Sequence, residues 1–234
     1  MSLPRPLKSA RRHGLHRQAI VETLLKDIFQ GRLPAGQRLV TEELAIRFAV
    51  SHTPVREALI ALAGTGVVDL WPNRGAVVHR LTPKDIREIC QVRRVLECAA
   101  VRRACGRIDL AKLRVLARQI RRLESAKSLP HARLVEQARA TDGWLHDLIA
   151  QSCGNAFLAQ EIGRLKTLFR AFRDAAWAEQ RARNDYHRFG DEFREHLAII
   201  DALLAGDRRA GAKAMAWHIL VTAKYWRRAW LNLA

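Results

Sequence analysis

Residues 31–70 read GRLPAGQRLVTEELAIRFAVSHTPVREALIALAGTGVVDL, and the turns inside this stretch decide the fold of the N-terminal part of the chain. Pro34 and Gly36 supply turn chemistry. Thr41 follows as an N-cap, with Glu42 and Glu43 in the first turn, where the helix dipole favours carboxylates. A short helix is predicted from about Glu42 to Phe48. After the turn Ala49-Val50-Ser51 another helix begins, capped by Ser51 or Thr53 and carrying Pro54 in its first turn, where the missing N–H is harmless. It runs to about Gly64. Upstream, Ile20, Leu24 and Ile28 recur at helical spacing between Gln18 and Gln30, and Gly31 stops the run. Downstream, Val67–Trp71 and Ala76–Arg80 are β-prone and joined by Pro72-Asn73-Arg74-Gly75, a hairpin. Three helices followed by a hairpin is the order of a winged helix-turn-helix.

Outside that unit the chain changes character. Residues 1–17 contain five basic side chains, no acids and two prolines, which predicts a disordered basic arm. Beyond Thr82-Pro83 every segment is helical in pattern. Pro83 opens a long helix with Ile86, Ile89, Cys90, Leu96 and Ala100 on one face, and further helices are expected over 109–128, 131–152, 155–180, 187–205 and 207–231. The expected organisation is a mainly α chain: arm 1–17, winged helix-turn-helix 18–81, and helical bundle 82–234.

The 234 residues carry a net charge of +18, with the excess on both sides of residue 80, so composition favours an anionic partner without locating it. Cys90, Cys98, Cys105 and Cys153 form no CxxC pair and read as small core residues of a reducing compartment. No apolar run reaches the length needed to span a bilayer, and no h-region follows the basic N-terminus. The expectation is a cytoplasmic protein with no membrane partner.

The stretch 31–70 followed by Asn73-Arg74-Gly75 resembles the DNA-binding domain of the GntR family of transcription regulators. The rest resembles the FCD ligand-binding domain of that family's FadR branch, through DIREICQVRRVLE (85–97), Asp142-x-x-x-His146, CGN (153–155), Glu195-His196 and GDRRAGAKAMAWH (206–218). The resemblance spans about residues 18–230. It implies a homodimer that binds pseudo-palindromic operator DNA, acts as a repressor or activator, and responds to a small carboxylate metabolite. In many members a metal ion sits at the effector site.

For DNA, the third helix packs Val55, Ala58, Leu59 and Leu62 and turns His52, Thr53 and Arg56 outward together. Arg56 suits a bidentate contact to a guanine edge. Ser51 and Thr53 either reach phosphates or cap the helix. His52 stands where many members carry arginine and is a weaker, pH-sensitive donor. Arg74 and Gly75 sit at the tip of the hairpin, where a wing enters the minor groove and a bulkier residue at 75 would obstruct it.

For the sensor, Asp142 and His146 are four residues apart on one helix and can share a metal. His196 falls on a buried stripe, and His218 lies mid-helix among Ala214, Val221 and Tyr225. A single histidine so placed is ordinarily a core residue; the four together, at positions matching the family, are read as ligands to one divalent transition metal ion such as Zn²⁺ or Ni²⁺. Arg93 either helps to bind the effector anion or pairs with Glu97 one turn on. Asn155 is either an effector contact or a helix cap. Two other readings share the ligands: a regulator that answers to the ion itself, and a metalloenzyme.

Overall fold

The computed structural model describes residues 8–29, 31–72, 75–80, 82–126, 130–180 and 187–231. The chain divides into two compact units. The first comprises the chain up to Thr82 together with Thr167–Glu179, the second Pro83–Lys166 and Gln180 onward. The sequence pattern had kept 167–179 within the bundle.

In the first unit, α1 (Lys8–Phe29), α2 (Thr41–Phe48) and α3 (His52–Thr65) accompany a sheet of β1 (Arg38–Leu39), β2 (Val68–Trp71) and β3 (Gly75–Val78). The strands are antiparallel in the order β1-β3-β2, with Leu39 opposite Ala76 and Leu70 also opposite Ala76. Ile20, Leu24, Ile28, Leu39, Val55, Leu59, Leu62, Val68 and Val78 form the core. That is the predicted winged helix-turn-helix with four corrections. The helix begins at Lys8, so the predicted disordered arm is helical over its last ten residues: both prolines, Pro4 and Pro6, lie before it. Residues 1–7 lie outside the described residues. Val40, not Thr41, occupies the cap position of α2 and makes no side-chain cap bond. The helix α3 continues to Thr65, where Gly66 at φ +81° ends it. β1 was not foreseen, because two residues carry no period.

The turn between α2 and α3 is made by Ala49, at φ 52° the one non-glycine residue with positive φ among those described. Its N–H is bonded to Ile46 O at 3.2 Å, and the N–H of Val50 to Ala45 O at 3.1 Å, closing α2 in the left-handed manner. α1 is tied to this pair through Asp27. Its backbone oxygen accepts from the N–H groups of Arg32 and Leu33, at 2.9 and 3.2 Å, and its buried carboxylate accepts from Arg32 and Arg47.

The second unit contains α4 (Pro83–Ala104), α5 (Leu110–Ser125), α6 (His131–Ser152), part of α7 (Ala156–Gln180), α8 (His187–Leu204) and α9 (Arg208–Leu231). α4 packs on α9, α6 on α4 and α5, and α8 on α5 and α9, around Ile86, Val101, Leu113, Leu116, Ile120, Leu145, Ile149, Ile199, Leu203, Met215 and Ile219. Carboxylates cap the starts of α5 and α9. Asp109 accepts from Ala111 and Lys112 N–H, at 2.9 and 3.1 Å, and Asp207 from Arg209 and Ala210 N–H, both at 2.9 Å. The four cysteines are buried free thiols. No helix among the described residues is long and apolar enough to cross a membrane.

Candidate DNA-reading surface and metal centre

α3 is held from below by Val55, Ala58, Leu59 and Leu62, all at most 2% exposed, so its outer face is fixed without contributing to the core. His52, Thr53 and Arg56 lie on that exposed face. Ser51 is exposed at the cap position in extended backbone (φ −70°, ψ 168°), and its hydroxyl makes no cap bond, so the capping role does not consume it. Two apolar residues were missed: Ile46 on α2 and Ile60 on α3, 77% and 59% exposed. Both lie off the buried stripe of their helix, so helical period places them outward although they are apolar.

Gly75 has a steric reason beside the one the sequence suggested. It opens β3 at φ +89°, and a Cβ there would sit 2.2 Å from the carbonyl oxygen of Leu39. Glycine is needed because the paired β1 backbone lies against that point, a requirement that holds with or without DNA. Arg74 lies outside the described residues.

In the second unit, α6 brings Asp142 and His146, α8 His196, and α9 His218 to one place. One ligand atom from each lies within 4.8 Å of every other. The imidazole centroids are 6.0 Å (His146–His196), 5.4 Å (His146–His218) and 4.6 Å (His196–His218) apart. Asp142 Oδ1 stands 3.5 Å from His146 Nε2 and 3.4 Å from His196 Nε2, separations of ion pairs rather than good hydrogen bonds. The three histidines are at most 2% exposed, whereas the Asp142 side chain is 14% exposed, so the cluster opens on the carboxylate side.

Two of these imidazoles are held from behind. His146 Nδ1 is hydrogen-bonded to Glu97 Oε2, and Glu97 Oε1 accepts from Arg93 Nε at 2.7 Å. His218 Nδ1 is bonded to Glu195 Oε2 at 2.9 Å, and Glu195 is gripped by both terminal nitrogens of Arg188, at 2.6 and 2.9 Å. Burial pushes both glutamic acids up, yet their cationic and hydrogen-bonding partners override it and hold each at about 2. Burial and the two neighbouring imidazoles push His218 down to about 3 against the pull of Glu195, so it is neutral, as a metal ligand must be. Burial also opposes charge on His196, but Asp142 prevails and raises it.

Three buried ring nitrogens, Nε2 of His146 and both nitrogens of His196, have no hydrogen-bond partner. Unsatisfied polar atoms in a dry core each cost free energy unless something coordinates them. Three imidazoles and one carboxylate are a donor set for a borderline transition metal, so the residues fit such an ion.

The contacts of Arg93 and Asn155 in the structure are those of their other readings. Arg93 is 4% exposed and engaged with Glu97, and exposed Asn155 caps α7 by accepting from Leu158 N–H at 3.0 Å. Sequence reasoning missed Glu97, Glu195 and Arg188 as parts of the centre. The signal was present in spacing: Arg93 and Glu97 are one helical turn apart, Arg188 and Glu195 two turns, each pair on one face.

A winged helix-turn-helix joined to a helical unit with a buried His/Asp cluster defines a class of bacterial DNA-binding regulators. Residues 16–78 match the profile of bacterial regulatory proteins of the gntR family, and residues 88–220 match the FCD domain. The chain belongs to the GntR family, in the group that carries an FCD domain, and is a DNA-binding transcription regulator rather than an enzyme. The repressor RspR of Escherichia coli K12 is 28% identical over 204 residues, covering 86% of this chain and 85% of that protein. The gluconate operon repressor of Bacillus licheniformis is 29% identical over 188 residues, covering 80% and 75%. Among solved structures, Escherichia coli McbR/YncC superposes with a TM-score of 0.71 at 20% identity, over 92% of this chain and 98% of that one, which supports the fold.

Proposed function

We propose that this regulator is a homodimeric repressor whose affinity for a pseudo-palindromic operator is set by a small organic acid bound at a divalent transition metal ion, held by Asp142, His146, His196 and His218. The observation that carries it is the convergence of these four donors within 4.8 Å, with buried ring nitrogens that make no hydrogen bond. When bound, the ion supplies positive charge and open coordination positions that attract a carboxylate. Asp142, the one partly exposed member, marks the side from which a ligand enters. Repression is the activity named for RspR and the gluconate operon protein, and comes to this chain by similarity. Ser51, His52, Thr53 and Arg56, with Arg74 of the wing, read the operator, and the cytoplasm is where they meet it. One recognition helix contacts too few base pairs for genomic specificity, which calls for two copies on a two-fold site.

The test is a thermal-shift screen of small carboxylates on metal-loaded and chelated protein, followed by operator binding with each hit. A ligand at 100 times its Kd stabilises by about 2.7 kcal/mol. The expected result is a shift that requires metal and a change in operator affinity. Loaded protein whose operator affinity follows the ion alone would make the ion itself the effector, and protein that takes up no Zn²⁺, Ni²⁺ or Mn²⁺ would overturn the metal site.

A further inference from the structure

We infer that Glu97 and Glu195 are positioning residues of this centre: each holds one imidazole, His146 and His218 respectively, in the form protonated at Nδ1, so that Nε2 is the nitrogen offered to a metal ion. The inference deepens the metal reading above and rests on it.

The chemistry follows from the donor inventory. A carboxylate accepts and does not donate, so the ring nitrogen that faces it must carry the hydrogen. A neutral imidazole has a single N–H, which leaves the lone pair on the opposite nitrogen. His146 Nδ1 faces Glu97 Oε2, and His218 Nδ1 faces Glu195 Oε2. In agreement, His146 Nε2 is buried, makes no hydrogen bond and faces Asp142 Oδ1 at 3.5 Å, on the side of the cluster.

The carboxylates are themselves immobilised. Arg93 holds Glu97 from one turn earlier on α4, and both are at most 4% exposed. Arg188 holds Glu195 with two hydrogen bonds and donates a third to Thr222 Oγ1 at 3.0 Å. The two assemblies repeat one order, arginine to glutamate to histidine Nδ1, on different helices. His196 has no counterpart: its Nδ1 has no hydrogen-bond partner, and the carboxylate near its Nε2, Asp142 at 3.4 Å, is itself a member of the cluster. The centre therefore has two imidazoles set in advance and one whose ring is not fixed by a carboxylate behind it. Arg93 and Arg188 act within the protein, as clamps on the glutamates.

The experiment uses the full chain, with Zn²⁺ as probe, in wild type, Glu97→Gln, Glu195→Gln and the exposed control Glu136→Gln. Glutamine keeps the shape but offers an amide that can donate as well as accept, which releases the ring. Chelator competition should show Zn²⁺ affinity about 10–100-fold weaker in either variant and unchanged in the control. Long-range proton–nitrogen NMR of the metal-free wild type should find His146 and His218 protonated at Nδ1, with the facing ring moving toward the Nε2–H form in each variant. This spectrum needs no substitution, so a variant that fails to fold does not remove the decision. Wild-type rings protonated at Nε2 overturn the inference. Tight wild-type binding undiminished in both variants also overturns it, and leaves the metal site standing. Wild-type protein that takes up no Zn²⁺ overturns the metal reading and the inference together.

Discussion

Nδ1 of His146 on α6 is hydrogen-bonded to Oε2 of Glu97, forty-nine residues earlier on α4. This one bond joins the His/Asp cluster to the helix that starts at Pro83, where the winged helix-turn-helix ends. Removing either side of a buried charged pair is costly because the survivor is stranded without solvent, and Glu97 has both Arg93 and His146 to lose.

Arg93→Met should therefore destabilise the metal-free protein by about 3–5 kcal/mol, since it leaves Glu97 buried with one partner fewer. Denaturant unfolding of wild type and variant in chelator measures it. An arginine reserved for an effector anion would leave metal-free stability nearly unchanged, and that outcome would return Arg93 to the role first considered for it.

Gly75 and Gly106 separate two kinds of glycine requirement. Both have positive φ, +89° and +82°, but an added Cβ meets the Leu39 carbonyl oxygen at 2.2 Å in the first case and nothing within 4 Å in the second. Gly106→Ala should cost about 1–2 kcal/mol of backbone strain. Gly75→Ala should cost clearly more and disrupt the pairing of β1 with β3, seen as faster amide exchange at Ala76 and Val78. Equal costs would mean that the strand pairing does not demand the glycine.

Asp27 supplies a dependence on pH. Burial alone would raise its carboxyl, but hydrogen bonds and charge from Arg47 and Arg32 outweigh that and leave it below the usual carboxylate range. A group whose native pKa is depressed contributes stability that is complete above its unfolded value and lost as pH falls through the native one. Asp27→Asn should destabilise by about 1–2 kcal/mol at neutral pH, a figure kept small because Arg32 and Arg47 are half-exposed. Thermal unfolding across acid pH should show the gap between variant and wild type closing. A gap of constant size would assign the effect to shape rather than charge.

How much could be read beforehand depended on whether a residue's role was local. The core stripe of α3 and the paired Asp142 and His146 follow from helical period, which a sequence displays directly. The position of β1 does not, since Arg38 and Leu39 form a strand only because β3 lies beside them. The steric demand at Gly75 was hidden on the same ground: the obstructing atom belongs to Leu39, thirty-six positions away. Glu97 and Glu195 were quoted within motifs yet passed over, because a glutamate on a helix is ordinarily solvated and only tertiary packing turns it onto a histidine.

Arg56 is the residue on which operator recognition should depend most. It is exposed on the outer face of α3, two positions beyond Pro54 and beside His52 and Thr53, while the buried side of the same helix carries the packing. Replacing it removes no core contact, so Arg56→Ala should unfold at the wild-type temperature. A guanidinium that grips a guanine edge contributes about 1–3 kcal/mol of base discrimination, and a two-fold site uses it twice. Phosphate contacts, in contrast, are indifferent to sequence and set the salt dependence. The measurement is competition at fixed salt between random duplex and a duplex selected by the wild-type protein from a random pool. The variant should lose roughly 10-fold or more of its preference per half-site while retaining random-duplex affinity to within the loss of one or two phosphate-range charges. Preference preserved in Arg56→Ala, with affinity for both duplexes reduced alike, would make Arg56 a backbone contact and move base reading to His52, Thr53 or the wing.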